Sequence, residues 1–422
     1  MISQIFLIAK TICVAFSISI SRLNLILSTL HHRLTYRAVP DAQNIVIIGA
    51  SFAGYQAARD LANAVPTGYR VVIIEKNSHF QFTWVFPRLC VVGGHEHKAL
   101  IPYGPYLTGA PKGSYEWVRD RVNKIDTEEK GGSIQLASGE KIKYAYLILA
   151  TGAEAGAPSR LGKESKRDAI QVFKDQQERL KAAKDVVVIG GGAAGVEIAG
   201  DAKAAYPEKN VTLVHSRPVL LNTFGPKLQK LAATELEKLG VNLVFEERLQ
   251  EVNDATGDVV LKSGKKITCD CLIKCVGQKP NSDLLTEISP STILPSGHVK
   301  VLPTLQITDA AHRNIFAIGD VTDAPIKNGR SAVEQGQLVS KNVVRAIKGQ
   351  KLLDYRPQWW EGLTEVTLGL KKKVAYLNDG SAEMIFSTGT KDPALRSAQC
   401  WRLFGVKPYE DPSDMAVNKS QD

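Results

Sequence analysis

The chain has 422 residues, 44% hydrophobic and 23% charged, which is enough for two or three domains with cores of their own and too apolar for a disordered or fibrous protein. Its formal net charge of +10 fits nucleic acid, an anionic membrane or an organelle address. Residues 1–40 hold Lys10, Arg22, Arg33 and Arg37 and no acid before Asp41, so part of the surplus sits in one segment and no nucleic-acid partner is expected.

That segment, "MISQIFLIAKTICVAFSISISRLNLILSTLHHRLTYRAVP", is apolar and rich in Ser and Thr. A mitochondrial presequence fits the missing acids and the Arg and Ser content. A membrane anchor competes with it. The uninterrupted run from Thr11 to Ser21 is short of the roughly 20 apolar residues a bilayer needs. Extending it to Leu30 places Arg22 and Asn24 in lipid, with the Arg costing about 3 kcal/mol at the centre. A secretory signal fits worst, since no basic stretch precedes the first apolar run, and an inert tail is the plain alternative. The expected location is mitochondrial, or membrane-associated and facing the cytosol, with folding starting near Gln43.

"NIVIIGASFAGYQAARDLA" (44–62) then runs from an all-apolar strand through a glycine turn into a small-residue helix over 53–64, and "YRVVIIEKN" (69–77) supplies the second strand of a βαβ unit. Residues 78–110 read as loop and irregular helix. Short strands follow over 115–153, closing in "YLILATGA", and 159–182 is a charged connector with a helix. The βαβ pattern restarts with a strand at 186–189, a helix at 194–205 and a strand at 211–214. A helix over 226–239, hairpin strands at 258–262 and 266–276, and "CVGQKPN" (275–281) complete the second unit. "RNIFAIGDV" (313–321) is another buried strand, followed by a helix over 332–347. The last 70 residues alternate strand patterns and carry three of the five tryptophans.

Both glycine turns have a physical reading. Gly190-x-Gly192-x-x-Gly195 matches the dinucleotide fingerprint: a tight turn, a close approach of main-chain N–H groups to a pyrophosphate, and close helix–strand packing, with the helix N-terminus adding partial positive charge. In the first turn, Gly49, Ala50, Ser51, Phe52, Ala53 and Gly54, Ser51 stands at the middle glycine position. Glu75 ends the second strand, where a carboxylate accepts bonds from a ribose diol; otherwise it is a solvated acid at a strand end. The second unit has His215, Ser216 and Arg217 there and no acid. Arg217 would welcome the 2′-phosphate of NADPH, or it simply faces solvent.

The two βαβ units, "LILATGA" between them and "NIFAIGDV" after them together resemble the two-dinucleotide flavoproteins. Within that group they resemble the apoptosis-inducing-factor-like and ferroptosis-suppressor-like NAD(P)H:quinone oxidoreductases, which are related to the alternative NADH dehydrogenases. The resemblance spans about residues 42–410. It implies FAD in the first unit and NAD(P)H in the second. It also implies that Gly49, Ser51 and Gly54 cradle the FAD pyrophosphate, Glu75 holds its ribose and Asp320, after Gly319, meets its ribityl or phosphate region. Val122 would contact the adenine through its backbone, and Thr151 and Gly152 would close the floor. Arg88 matches an FAD-contacting arginine, against the alternative of a loop cation. Glu197 matches a catalytic glutamate near the nicotinamide, against that of a first-turn acid favoured by its helix. Glu334, Gln335 and Gln337 lie loosely where relatives carry a quinone-side motif.

The implied fold is α/β: two Rossmann-like domains, the second inserted in the first, plus a small C-terminal α+β domain. Its boundaries are 1–40 for the leading segment, 41–158 and 281–350 for the FAD domain, 159–280 for the NAD(P) domain, and 351–422 for the C-terminal domain and tail. Hydride transfer between stacked rings needs exclusion of water more than an acid or base. The six cysteines (Cys13, Cys90, Cys269, Cys271, Cys275 and Cys400) show no framework, which favours a reducing compartment. Cys90 has no redox partner within five residues, and Cys269, Cys271 and Cys275 share one strand parity as core side chains. His95 and His97 alone do not complete a metal site, so no metal is expected. A quinone or other small acceptor remains, reached beside the aromatics of 80–106. The rivals are reduction of a small iron–sulfur protein, and a slow redox-sensing protein that contacts partners through Lys371–Lys373. Oligomeric state is not legible.

Overall fold

The computed structural model describes residues 2–253 and 257–413; residues 414–422, read above as a tail, lie outside the described residues. Five parallel strands form the first sheet in the order Ile315–Ala317, Tyr146–Leu149, Gln43–Ile48, Tyr69–Ile74, Tyr115–Val118. Ile45 to Ile48 pair in register with Val71 to Ile74, and all are buried because both faces are covered. Ile45, Ile47, Val71 and Ile73 pack beneath helices. Val46, Ile48, Val72 and Ile74 meet Val122, Ile125, Ile134 and Leu136 of a three-stranded antiparallel layer (Val122–Thr127, Gly132–Leu136, Lys141–Tyr144). On the helical face, Phe52–Ala62 lies against Gly329–Ile347. Gly336 permits this contact, since a Cβ there would come within 2.5 Å of the Ala53 carbonyl oxygen.

The second sheet has four parallel strands in the order Asn242–Val244, Asn210–Val214, Asp185–Ile189, Cys271–Lys274. An antiparallel layer (Leu249–Val252, Val259–Leu261, Lys266–Ile267) covers one face. The expected hairpin strand over 266–276 is therefore split: its first part stays in this layer and Cys271–Lys274 crosses to the parallel sheet. The break also separates the cysteines. Cys269 faces the antiparallel layer and Cys271 the helical side, so the shared parity read from the sequence does not hold. All strands of this sheet fall between two strands of the first in sequence, and the chain passes over and back through a short antiparallel pair, Ala153–Glu154 with Lys279–Pro280. The architecture is that of a two-Rossmann α/β protein. A C-terminal antiparallel sheet (Thr364–Thr367, Lys372–Asn378, Glu383–Gly389) and a helix (Ser397–Leu403) follow. Trp401 of that helix is buried, its indole N–H donating to the Lys98 carbonyl at 2.9 Å.

The leading segment corrects the expectation that folding starts near Gln43. Ile2–Thr35 is one helix of 34 residues. Its last turn and the residue after it are tied to the first unit: His32 Nε2 lies 2.7 Å from the Val65 carbonyl oxygen, and the Tyr36 hydroxyl donates to the carbonyls of Tyr69 and Gly113 at 3.1 and 3.0 Å. Near its start, Leu7 is fully buried and Lys10 pairs with Asp379 of the C-terminal sheet's hairpin. Among the described residues no helix is long and apolar enough to cross a membrane.

Candidate active site

A cleft of about 670 Å³ opens along the carboxyl ends of the first sheet's strands, where open α/β sheets bind their ligands. Gly49, Ser51, Phe52, Ala53, Glu75, Val122, Thr151, Gly152, Gly319 and Asp320 all line it, so the fold gathers most of the expected FAD residues in one place. Ala50 and Gly54 form the turn behind it. Gly49 has φ +95°, and a Cβ on Gly54 would stand 1.8 Å from the Gly49 carbonyl oxygen. Helix and strand are thus locked as tightly as the backbone allows, and the first N–H groups of Phe52–Ala62 face the cleft.

Glu75 is 5% exposed. Its carboxylate accepts from the N–H of Ala50 at 2.6 Å and of Asn77 at 2.7 Å. Burial nonetheless wins over those donors and raises its pKa. A carboxylate has about four lone-pair sites, so two remain for a diol. At the far end of the cleft, Asp320 is paired with Arg160 at 3.2 Å. Gln335 accepts from the Gly319 N–H at 2.8 Å and pins that turn, which gives it a structural place in the helix. Asn328 caps Gly329–Ile347 by accepting from the Ser331 N–H at 2.9 Å, and Asn328, Gly329 and Ala332 bring that helix N-terminus to the cleft.

Arg88 requires a correction: it does not line the cleft. It is 3% exposed, with Nε bound to Asp201 Oδ2 at 2.6 Å and Nη2 donating to the Gly369 carbonyl at 3.2 Å. The segment Phe86–Leu89 forms one helical turn that points the guanidinium inward, and a buried cation takes a buried anion before it takes a ligand. Glu197 stands four residues from Asp201 on Ala193–Ala205, 6% exposed and also off the cleft. It accepts from the Thr367 N–H of the C-terminal sheet at 3.0 Å. Burial, reinforced by the Asp201 charge, raises its pKa to about 8.

The second glycine turn repeats the first. Gly190 has φ +114°, a Cβ on Gly195 would lie 1.7 Å from the Gly190 carbonyl oxygen, and a Cβ on Gly192 would meet nothing within 4 Å. That is a cradle left open for a phosphate. The Gly191 N–H donates to His215 Nδ1 at 3.0 Å, while Arg217 is exposed two residues further on. Among the described residues no His, Cys, Asp and Glu group could hold a metal. Burial pushes the Cys275 thiol up to about 12, and the Cys90 thiol further, with a small added repulsion from Cys275. Their proximity was invisible to sequence spacing, but thiols kept protonated by their surroundings, Cys90 buried and Cys275 half-buried, are poor nucleophiles.

The sequence profile of the pyridine nucleotide-disulphide oxidoreductases matches residues 43–336. The chain belongs to that family. It is 32% identical to Fe-regulated protein 8 of Mycosarcoma maydis over 389 residues, covering 86% of this chain and 95% of that protein. It is 28% identical to ferroptosis suppressor protein 1 of Xenopus tropicalis over 383 residues, covering 87% and 97%. Its fold superposes on the sulfide:quinone oxidoreductase of Aquifex aeolicus with a TM-score of 0.70 at 18% identity, covering 89% of this chain and 95% of that one. Family proteins bind FAD and NAD(P)H, and both glycine cradles here fit them: FAD in the lined cleft, NAD(P)H at the second turn. Arg160, Asn281, Lys327 and Tyr103 also line the cleft and carry no local signature. Tyr103 donates to the Ala50 carbonyl at 3.0 Å, across 53 residues of chain. Asp201 was within reach of sequence reasoning, because it follows Glu197 by one helical turn.

Proposed function

We propose that this oxidoreductase is an NAD(P)H:quinone reductase, in which a hydride from NAD(P)H (two electrons and one proton) and one further proton from solvent convert a quinone to its quinol. One observation carries the reading. The cleft holds one nucleotide cradle and a helix N-terminus, a second cradle stands open at the other glycine turn, and burial keeps the Cys90 and Cys275 thiols, which a disulfide substrate would need as thiolates, in their protonated form. A diffusible acceptor that needs no covalent partner suits that inventory. When bound, FAD supplies the two-electron relay between the two substrates.

The chain's own residues position and insulate. Gly49 to Gly54 hold the dinucleotide backbone, Glu75 its ribose, and Asp320, released from Arg160, its ribityl side. The N-terminus of Gly329–Ile347 stabilises negative charge that develops nearby. Glu197, whose pKa burial raises to about 8, is bonded through Oε1 to the Thr367 N–H and acts from behind the cleft, as a positioning residue between the second glycine turn's helix and the C-terminal sheet. Membrane residence of a quinone acceptor agrees with the basic, apolar leading helix.

The test is anaerobic reduction of the purified chain by NADH and by NADPH, followed by mixing with a short-chain quinone. Reoxidation within milliseconds to seconds is expected. Flavin that stays reduced for minutes with quinone, or that is reoxidised only by an iron–sulfur protein, would overturn the assignment.

A further inference from the structure

The helix Ile2–Thr35 is apolar on two opposite sides. One side belongs to the protein: Leu7 and Tyr36 are buried, and Thr11, Val14, Thr29 and His32 are half-buried, at the spacing of a single helical face. The other side is a ridge. Ile5, Ile8, Ile12, Phe16, Ile20 and Leu23, continuing at steps of three or four to Leu34, lie on one stripe and are 43 to 75% exposed. A soluble helix that packs on a core by one face carries polar residues on the opposite one. Here the opposite face is the more strongly apolar of the two, over a length of about 50 Å.

From this ridge we infer that the helix lies flat in the surface of a bilayer containing anionic lipid, with the body of the protein on its other side. Three observations select that occupant. First, contacts near both ends hold the helix along the body: Lys10 with Asp379 at one end, and His32, Arg33 and Tyr36 with Val65, Gly109, Tyr69 and Gly113 at the other. Spanning would require those contacts to break. Second, residues 1–40 contain no acid, and the exposed guanidinium groups of Arg33 and Arg37 bond, among the described residues, to main-chain carbonyls rather than to carboxylates, so their charge remains available to lipid headgroups. Third, a second copy of this chain would bring two acid-free basic helices side by side, whereas an anionic surface complements them. In-plane helices of this kind bind through buried apolar area plus electrostatic attraction. The helix that carries the ridge is tied to the body near both ends, so it sets one orientation of the protein on the surface.

The proposal stands apart from the choice of electron acceptor: a chain that binds vesicles but reduces no quinone keeps this inference and loses the other. The test uses the full chain loaded with FAD in flotation with vesicles of phosphatidylcholine alone or with added phosphatidylglycerol. Binding to the anionic vesicles is expected, weakening in high salt. The triple substitution Ile12→Glu, Leu23→Glu, Leu30→Glu should reduce bound protein roughly tenfold or more, with flavin content and NAD(P)H oxidation by the soluble acceptor ferricyanide unchanged. In a second measurement, Phe16→Trp should show blue-shifted emission on adding anionic vesicles. Absence of flotation, equal flotation of the triple variant, or a tryptophan that does not shift would overturn the inference. So would a dimer that the triple substitution dissociates without any vesicle binding, which would assign the ridge to a second copy. Recovery from cells of a chain starting beyond Thr35 would make the helix a removed address and overturn it equally.

Discussion

The two glycine turns, 49–54 and 190–195, are nearly the same piece of backbone doing different electrostatic work. Each opens with a glycine in the left-handed region, and each ends with one whose Cβ would penetrate the first glycine's carbonyl oxygen, at 1.8 and 1.7 Å. In each, the N–H after the first glycine donates to the residue that ends the second strand. In the first turn that residue is Glu75, at 2.6 Å; in the second it is His215 Nδ1, at 3.0 Å. Burial lowers the His215 pKa, which favours the neutral ring that accepts at Nδ1. The turn itself is dictated by main-chain sterics and therefore recurs. The group at the strand end is free to differ in charge, a carboxylate in one turn and an imidazole in the other, and that is where one cradle is made to differ from the other.

The sharpest way to break the comparison is at the third glycines. Gly54→Val and Gly195→Val each force a side chain into backbone and should cost roughly 4 kcal/mol or more. The first should yield protein without flavin by absorbance. The second should leave flavin bound and abolish its reduction by NAD(P)H in stopped flow. By contrast, Gly192→Ala meets nothing in the protein, so it should leave the melting temperature in place and raise the KM for NAD(P)H. If it unfolded the chain, the open-cradle reading would be wrong.

Next comes Glu75→Ala, which strands the N–H groups of Ala50 and Asn77 in a buried site. It should cost about 2–3 kcal/mol in denaturant unfolding and lower flavin retention. The corresponding His215→Ala removes one neutral acceptor and should cost less. Equal losses at both sites would show that the carboxylate has no special place.

Glu197 gives a pH signature. Its pKa of about 8 lies above the ordinary glutamate value of 4.5, so the folded protein binds the extra proton. The stability this contributes is fully present below about pH 4.5 and is lost as pH rises through about 8. Glu197→Gln, which keeps the acceptor for Thr367, should flatten the decline in unfolding free energy between pH 5 and pH 9, by an amount on the order of a few kcal/mol. Identical pH profiles would place the charge of Glu197 outside the stability of this seam. The smallest structural effect belongs to Arg217→Glu: no change in melting temperature, but a shift toward NADH on the order of tenfold in the ratio of kcat/KM values. An unchanged ratio would remove the 2′-phosphate argument.

Much of the cleft was legible because a dinucleotide seat is built from local backbone. A strand, a turn that only small residues permit and a helix follow one another within 20 residues, so Gly49, Gly54, Gly190 and Gly195 announce themselves. Glu75, Thr151 and Gly319–Asp320 are strand ends, and strand ends of one parallel sheet converge. Arg88 misled for the opposite reason: its partner Asp201 is 113 residues away, and nothing near "FPRL" tells whether the guanidinium turns toward a ligand or toward another helix. Arg160 escaped notice in a charged connector whose composition suggested only solvent. The parity of Cys269 and Cys271 failed because the chain changes sheets between them.

The sequence by itself determined the two nucleotide turns, the order of the βαβ units and the absence of a reactive cysteine motif, because these depend on backbone sterics and on spacing along one chain. Only the tertiary structure decided that Arg88 closes a buried ion pair, that Cys90 comes near Cys275, and that the leading helix is held against the body with a second apolar face turned outward. Those outcomes depend on which distant surfaces meet. Burial then sets the energy of every charge and every exposed side chain, and burial is a property of the assembled fold.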